Sequence, residues 1–293
     1  MSSSDEIREF LSSRRAKVTP EQAGLTAYGR NRRVTGLRRE EVAMLAGISV
    51  EYYTRFERGN ASGASDDVIE GVVRALQLDD AERAHLFDLV RSANAISRPA
   101  RRRPSQERVR PVVQRILDSM NAPAYVRNGR LDLLAANALG RALYGPVFDG
   151  AVGTPNMARY LFLQPDAADF FSDWEAVASD AVAILRAEAG RDPFDKELSQ
   201  LIGELSTRSQ EFRVRWAAHN VKFHRTGTKT LHHPVVGIVT LDYEALELPG
   251  DGGQRILVYS AEPGSPSQQA LDLLTSWTAA SSHHHDDQTV DRP

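Results

Sequence analysis

Residues 37–59 read LRREEVAMLAGISVEYYTRFERG, and this stretch decides the fold of the N-terminal part of the chain. Apolar residues recur at positions i, i+3 and i+4 from Val42, which predicts one apolar helix face. Gly47 follows them and can adopt the left-handed conformation that ends a helix. Ser49 can then accept hydrogen bonds from the free amides of a second helix. The stretch therefore predicts two short helices joined by a tight turn.

The second predicted helix has an apolar side and a polar side. Tyr53 and Phe56 can pack inward on the first helix. A recognition helix places its first turns in the major groove of DNA, next to base edges and phosphates. The candidates for these contacts are Val50, Glu51, Tyr52, Thr54 and Arg55, with Arg58 further along the same side. The alternative is a helical hairpin that merely packs.

The spacing LxxEExAxLAGxSxxYYxRxExG resembles the lambda-repressor-like (XRE-type) helix-turn-helix. The resemblance implies one group of residues that reads bases, Val50, Glu51 and Arg55, and one that holds the phosphate backbone, Arg39, Tyr52 and Arg58. The family often opens its first motif helix with a small polar cap and Gln, whereas this chain has Arg38 and Arg39. We therefore expect both arginines to attract phosphate. An acid such as Glu51 reads a base only by accepting from a cytosine amino group.

The length and composition of the chain favour two domains with different partners. The 293 residues are 41% apolar and carry a formal net charge of -3. Of the 36 Lys+Arg and 39 Asp+Glu, residues 1–110 hold 20 and 16, which leaves 16 and 23 for the rest. A polyanion such as DNA therefore suits the N-terminal part. The chain has no cysteine, which excludes disulfides and thiolate sites. It shows neither a long apolar run nor a leader, so we expect a cytoplasmic protein.

The predicted DNA-binding domain spans residues 1–96 and contains five helices. Between its first helix and residues 37–59 lies a basic, aromatic segment, 19–36, that is longer than most helix connections. Its arginines could lie along a phosphate backbone or enter a minor groove, although a solvated loop is also possible. The arm residues are Tyr28, Arg30, Arg32 and Arg33. The Arg- and Pro-rich residues 97–110 predict an extended linker.

The predicted second domain spans residues 111–279 and mixes strands with helices. Asn128-Gly129 between two apolar runs predicts a two-residue hairpin turn joining strands at 124–127 and 130–135. Helical stripes fill the middle, and three further strands are predicted at about 229–233, 237–248 and 255–261. A last helix is expected at 267–277, followed by a disordered tail, 280–293. Strand, tight turn, strand and helix resemble the opening of a PAS-like sensor domain.

Four further motifs resemble the ligand-binding domain of MmyB-like actinobacterial XRE regulators. They are YxxxxRLDLLAANxLxxxL, DWExVAxDAVAxLRxxAGRDP, SxEFRxxWxxHxV and HPxVGxxxLDYExL. The resemblance implies an all-α, five-helix, lambda-repressor-like DNA-binding domain followed by an α+β PAS-like sensor domain. It also implies an apolar ligand, fatty-acid-like or otherwise. The leading prediction is thus a transcription regulator that needs no cofactor. We expect it to be a homodimer, because two copies can bind two half-sites of operator DNA.

The predicted ligand site combines aromatic and cationic side chains. Arg215 and His219 share a helix face with Trp216. We expect Trp216, Phe162, Phe170 and Phe171 to line an apolar pocket, with Arg215 or His219 anchoring a carboxylate. Alternatively, Arg215 is solvated and His219 satisfies the carbonyls at the helix end.

Two other functions remain open from the sequence. The C-terminal domain could serve only dimerisation or protein interaction. An enzyme fused to a helix-turn-helix finds no support, because the chain has no G-x-S-x-G, no P-loop and no zinc-binding His pair. A haem sensor would have to use His219, His224, His232 or His233, and their spacing does not favour one. We therefore expect neither catalysis nor a metal site.

Overall fold

The computed structural model of the protein describes residues 3–25, 34–94, 108–151, 153–218, 226–250 and 253–287. The chain divides into two units by its internal contacts. The first unit comprises Met1–Arg101, Arg186–Gln200 and Arg213–Phe223, and the second comprises Arg102–Leu185, Leu201–Phe212 and His224–Pro293. Most of the predicted linker, residues 97–107, lies outside the described residues, so the predicted domain limits stay predictions.

The N-terminal segment of the first unit contains the five predicted helices. They are α1 (Ser3–Lys17), α2 (Arg39–Ala46), α3 (Val50–Glu57), α4 (Asp66–Ala75) and α5 (Asp80–Asn94). Their apolar faces form one core, which includes Ile7, Phe10, Leu37, Val42, Tyr53, Phe56, Val72 and Leu86, each at most 1% exposed. This all-α arrangement confirms the predicted fold of the N-terminal domain.

The turn between α2 and α3 has the local structure that the sequence predicts. Gly47 ends α2 with a φ of 70°, in the left-handed region that favours glycine. Ser49 caps the start of α3, and its side chain accepts a hydrogen bond from the Tyr52 amide at 3.1 Å. Gly59 follows α3 with a φ of 91°, and a Cβ there would lie 2.2 Å from the Ser4 carbonyl oxygen. Glycine at this position therefore lets α1 approach the end of α3.

The second unit is built on one antiparallel sheet of five strands. Its strands are β1 (Ala124–Arg127), β2 (Leu133–Ala136), β3 (Thr226–His233), β4 (Gly237–Glu247) and β5 (Arg255–Ser260), in the spatial order β2-β1-β5-β4-β3. The helices are α6 (Pro111–Asp118), α7 (Ala138–Leu143), α8 (Gly145–Asp149), α9 (Met157–Leu163), α10 (Ala167–Phe170), α11 (Trp174–Arg191), α12 (Lys196–Arg208), α13 (Gln210–Ala217) and α14 (Pro266–Asp287). Helices α11, α12 and α13 also contribute residues to the first unit. The α+β fold confirms the prediction for the C-terminal domain.

The two faces of the sheet carry different side chains because successive residues of a strand alternate in direction. On one face, Ala124 and Val126 of β1 join Val113 and Leu117 of α6 in a buried cluster. On the other face, Tyr125 pairs in register with Leu257 of β5. Tyr125 and Leu257 line a cavity on that second face.

The predicted two-residue hairpin turn is wrong. The connection runs from Asn128 to Asp132, and β2 begins only at Leu133. The Asn128 side-chain oxygen accepts hydrogen bonds from the amides of Arg130 at 3.0 Å and Asp132 at 2.9 Å. These bonds organise a longer loop, in which Leu131 takes a φ of 67°. The side chain of Asn128 thus outweighs the tendency of an Asn-Gly pair to form a tight turn.

The last helix, α14, extends past its predicted end at Trp277 to Asp287. The predicted disordered tail therefore begins inside a helix, and residues 288–293 lie outside the described residues. Within the described ranges, no helix is both long and apolar enough to cross a membrane.

Candidate functional site

The exposed side of α3 forms a shallow concave surface. It is lined by Val50, Glu51, Thr54, Arg55, Arg58 and Asn60, and we call it the α3 face. All four predicted base-reading residues lie on it, together with Arg58. Asn60, just beyond the helix, also lines this surface but was not among the residues predicted to contact DNA. The opposite side of the helix is buried through Tyr53, Phe56 and Glu57, so α3 is fixed in the core while its polar side stays accessible.

Two side chains at the centre of α3 contact each other. The guanidinium carbon of Arg55 lies 5.1 Å from the centroid of the Tyr52 ring, within the range of a cation–π interaction. Tyr52 is half-buried and packs against the core of the first unit. The ring thereby restricts the exposed Arg55 side chain, which reduces the conformational entropy lost when its guanidinium binds.

Glu57 joins α3 to the two preceding helices. Its carboxylate is 1% exposed and accepts two hydrogen bonds from Arg15, at 3.0 and 2.9 Å. It accepts two more from Arg39, at 3.3 and 3.1 Å. Burial opposes ionisation of Glu57, but the bonds from the two arginines outweigh it and lower its pKa. Since Arg15 also donates to the Leu37 carbonyl oxygen at 3.0 Å, this cluster positions α3.

The predicted phosphate-binding arginines differ in their surroundings. The Arg39 side chain, 46% exposed, is held by Glu57. Arg38 is exposed at the start of α2, where its amide donates to the Glu41 carboxylate at 2.6 Å. Arg58 is exposed on the α3 face. The arm residues Arg30, Arg32 and Arg33 lie outside the described residues, so their role stays a prediction.

A second candidate site is a cavity of about 20 Å³ between the sheet and the helices of the second unit. We call it the sheet cavity. Its apolar lining is Leu131, Met157, Leu161, Val177, Ala181, Ile184 and Leu257, and its polar lining is Tyr125, Arg127, Asp180 and Lys229. This volume holds roughly one water molecule. A larger ligand would therefore have to displace side chains of the lining.

Charged groups from three elements reach the sheet cavity: Arg127 of β1, Lys229 of β3 and Asp180 of α11. Arg127 is 2% exposed, and its guanidinium donates to the Asn128 carbonyl oxygen at 3.2 Å. The Lys229 ammonium lies 4.9 Å from the centroid of the Tyr243 ring. Burial, and then the charge of Arg127, lower the pKa of Lys229 to about 8, although Asp180 acts in the opposite direction.

Of the six residues predicted to bind the ligand, the five that the structure describes do not line the sheet cavity. Phe170 and Phe171 are buried against each other, with ring centroids 5.0 Å apart. Phe162 packs on Phe212 at 5.2 Å. Arg215 and Trp216 belong to the first unit, where the Arg186 guanidinium lies 4.1 Å from the Trp216 ring centroid. His219 lies outside the described residues, so its predicted role is untested.

Two of the four histidines considered for haem are described, and both take part in hydrogen bonds. His233 is buried; its Nε2 donates to the Ala142 carbonyl oxygen at 3.0 Å, and its Nδ1 accepts from the Val235 amide at 3.2 Å. Nε2 of His232 lies 2.9 Å from the Ser172 hydroxyl. Among the described residues, no group of three or more histidines and carboxylates could hold a metal ion.

The fold of each part of the chain agrees with a match to a known domain family. A helix-turn-helix domain family matches residues 9–86, so the N-terminal part is that of a DNA-binding protein. The MmyB-like transcription regulator ligand binding domain matches residues 109–274, more than half of the chain. The protein therefore belongs to the MmyB-like transcription regulators, which join a DNA-binding domain to a ligand-binding domain. No curated protein matches the chain.

Proposed function

We propose that the protein is an XRE-type transcription regulator that binds operator DNA through the α3 face and acts in the cytoplasm. The observation that carries this proposal is the division of α3 into two sides. Tyr53, Phe56 and Glu57 are buried, whereas the predicted base-reading residues line one accessible surface. A helix fixed in this way can enter the major groove without rearrangement of the core.

The side chains of the α3 face suit both kinds of DNA contact. Arg55 can donate two hydrogen bonds to one guanine edge, and Glu51 can accept from a cytosine amino group. Thr54 and Val50 can contact a base edge or a thymine methyl group. Arg58 and Tyr52 reach phosphates on this proposal, as do Arg38 and Arg39 at the start of α2. Because Arg39 is also bound to Glu57, we expect it to add less affinity than Arg58.

We also propose that the second unit senses an apolar, fatty-acid-like molecule. The apolar lining of the sheet cavity supports this, since small-molecule sites are lined mainly by hydrophobic side chains with a few polar groups. Entry of a ligand requires side chains to move, and the unbranched Met157 can change rotamer at low cost.

A homodimer fits the small footprint of one helix-turn-helix, because two copies can bind two half-sites about one helical turn apart. A second candidate function is that the C-terminal domain serves only dimerisation or protein interaction. It is favoured by apolar side chains exposed on α14, namely Leu273 at 64% and Trp277 at 50%.

Selection of bound sequences from a random DNA library tests the proposed function. We expect the full-length protein to enrich one sequence that contains two half-sites. Enrichment of no sequence would overturn the DNA-reading role of the α3 face. Denaturing extraction of the purified protein, followed by mass spectrometry, separates the two candidates for the second unit. A co-purified apolar molecule supports the sensing function. Protein that dimerises but carries no such molecule supports a role in dimerisation or protein interaction only.

A further inference from the structure

One flank of α6 carries exposed apolar side chains. Val113 and Leu117 of this helix pack against the sheet in a buried cluster. Val112 and Ile116 precede them by one residue each and are 43% and 46% exposed. Residues four positions apart lie on the same side of a helix, so these two side chains form one apolar stripe. The described part of the chain leaves this stripe in contact with water, which is unfavourable for apolar surface.

The stripe is turned toward the middle of the sheet. Gln114, on the opposite flank of α6, donates to the Ala136 carbonyl oxygen of β2 at 3.4 Å. Because β2 lies at one end of the order β2-β1-β5-β4-β3, the flank with Val112 and Ile116 faces β5 and β4. Neighbouring strands are about 4.8 Å apart, so these two strands provide about 10 Å, the width of one helix. We call the space between α6 and β4 the α6 groove.

The floor of the α6 groove combines an apolar and an acidic side chain. In the register of β4 and β5, Leu246 lies opposite Ile256, and Glu244 lies opposite Val258. Residues directly opposite each other in an antiparallel pair point to the same face of the sheet. Ile256 is buried in the cluster with α6, so Leu246 and Glu244 also lie on that face. Both are exposed, which shows that no described helix covers them.

We infer that a second copy of this chain occupies the α6 groove with its own α6. This inference rests on the proposed homodimer and names its interface. Helical periodicity places Arg115 on the outer side of α6, away from the sheet, where it is exposed. This guanidinium can pair with Glu244 of the partner subunit, and by symmetry the partner's Arg115 can pair with Glu244. One patch is thus complementary to itself, as the interface of a two-fold dimer requires.

A two-fold axis along α6 satisfies these contacts together. It keeps the two helices parallel, in one layer between the two sheets. Val112 and Ile116 then pack against the same residues of the second copy. Since α6 begins at Pro111, residue 110 of both copies, where the predicted linker ends, lies at the same end of the interface. Such a dimer can present two DNA-binding domains to neighbouring half-sites.

Cysteine cross-linking tests the parallel arrangement, because the chain has no cysteine of its own. The full-length Ile116→Cys variant is oxidised with diamide and separated under non-reducing conditions. We expect it to form a cross-linked dimer, since a disulfide needs Cα atoms within about 7 Å of each other. Leu273→Cys, at an exposed apolar residue of α14, is the matched control and should stay uncross-linked. Cross-linking of Leu273→Cys and not of Ile116→Cys would overturn the inference and place the interface at α14.

Charge reversal tests the paired residues by sedimentation equilibrium of the full-length protein. Arg115→Glu and Glu244→Arg should each raise the dimer dissociation constant about ten-fold or more. The double variant should restore it to within about three-fold of wild type, because the opposite charges face each other again. Single variants as dimeric as wild type would overturn the inference and leave a homodimer with another interface. Wild type that is monomeric yet selects its DNA would overturn the proposed homodimer as well.

A synthetic peptide of residues 97–110 tests the other occupant that the charge of the groove allows, the arginine-rich linker of the same chain. We expect no binding of the labelled peptide to the full-length protein in fluorescence anisotropy. Binding to wild type that is lost in Glu244→Arg would assign the groove to the linker and overturn the inference.

Discussion

The buried carboxylate of Glu57 gives the most specific stability prediction. The Glu57→Ala variant leaves Arg15, whose side chain is 17% exposed, without its ionic partner inside the first unit. Breaking a buried pair by removal of one partner costs about 3 to 5 kcal/mol. The pair with Arg39 contributes less, because that side chain is 46% exposed and its charge is screened by solvent. We therefore expect a loss of about 3 kcal/mol in the free energy of unfolding of the first unit.

Hydrogen exchange of the full-length protein, followed by mass spectrometry of peptides from α1 and α3, measures this loss where it occurs. The matched control is Glu51→Ala, an exposed acid on the same helix, which should change stability by less than about 0.5 kcal/mol. Protection equal to wild type in Glu57→Ala would refute the positioning role of the cluster.

The lowered pKa of Glu57 also sets the direction of the pH dependence. The stabilisation is fully present above the usual glutamate pKa and is lost as the pH falls through the lower pKa of the folded state. Glu57→Gln should lack this stabilisation at neutral pH. The stability difference between wild type and Glu57→Gln should therefore shrink in acid. A difference that stays constant down to the lowest pH would show that Glu57 is uncharged in the fold.

Two further predictions concern the arm and the sheet cavity. Triple replacement of Arg30, Arg32 and Arg33 by Ala should weaken binding to all DNA sequences and make the affinity less dependent on salt. Fluorescence anisotropy at several salt concentrations measures both effects. An unchanged dependence of affinity on salt would show that these arginines do not contact DNA. Lys229→Met should stabilise the second unit at pH 7 by about 1 to 3 kcal/mol, because the lowered pKa means that the folded state disfavours the ammonium. This gain in stability should vanish as the pH rises from 8 toward the usual pKa of lysine. Urea unfolding at pH 7 measures the gain. A variant less stable than wild type would show that the contact between Lys229 and Tyr243 dominates.

Local signals explain why the helix-turn-helix could be predicted from the sequence. The left-handed Gly47 and the Ser49 cap act within a few residues of their own positions. The polar side of α3 follows from helical periodicity alone, so the sequence already places Val50, Glu51, Thr54 and Arg55 on one accessible side of the helix, while their role in reading bases stays a prediction. Periodicity gives no information on Asn60, which also lines the α3 face but lies beyond the helix.

The sites that the sequence did not reveal depend on contacts between distant residues. Glu57 was visible in the motif, but its partner Arg15 lies in α1, and no local pattern links the two. Arg127 and Lys229 meet at one cavity only because the strand order β2-β1-β5-β4-β3 sets their positions. A cation within an otherwise apolar strand, as in the AYVR sequence of β1, is the signal that could have indicated Arg127.

Reading of DNA by the α3 face is the central claim, and Arg55→Ala tests it most directly. The affinity of the Arg55→Ala variant for the selected DNA sequence and for a scrambled sequence should be compared with the affinities of wild type and of Arg91→Ala. Arg91 is the control because its side chain is 76% exposed on α5 and is not among the residues that line the α3 face. We predict that Arg55→Ala loses about 1 to 3 kcal/mol of discrimination between the two sequences, while Arg91→Ala keeps it. Equal weakening of both sequences by Arg55→Ala would contradict base reading and assign Arg55 to the phosphates.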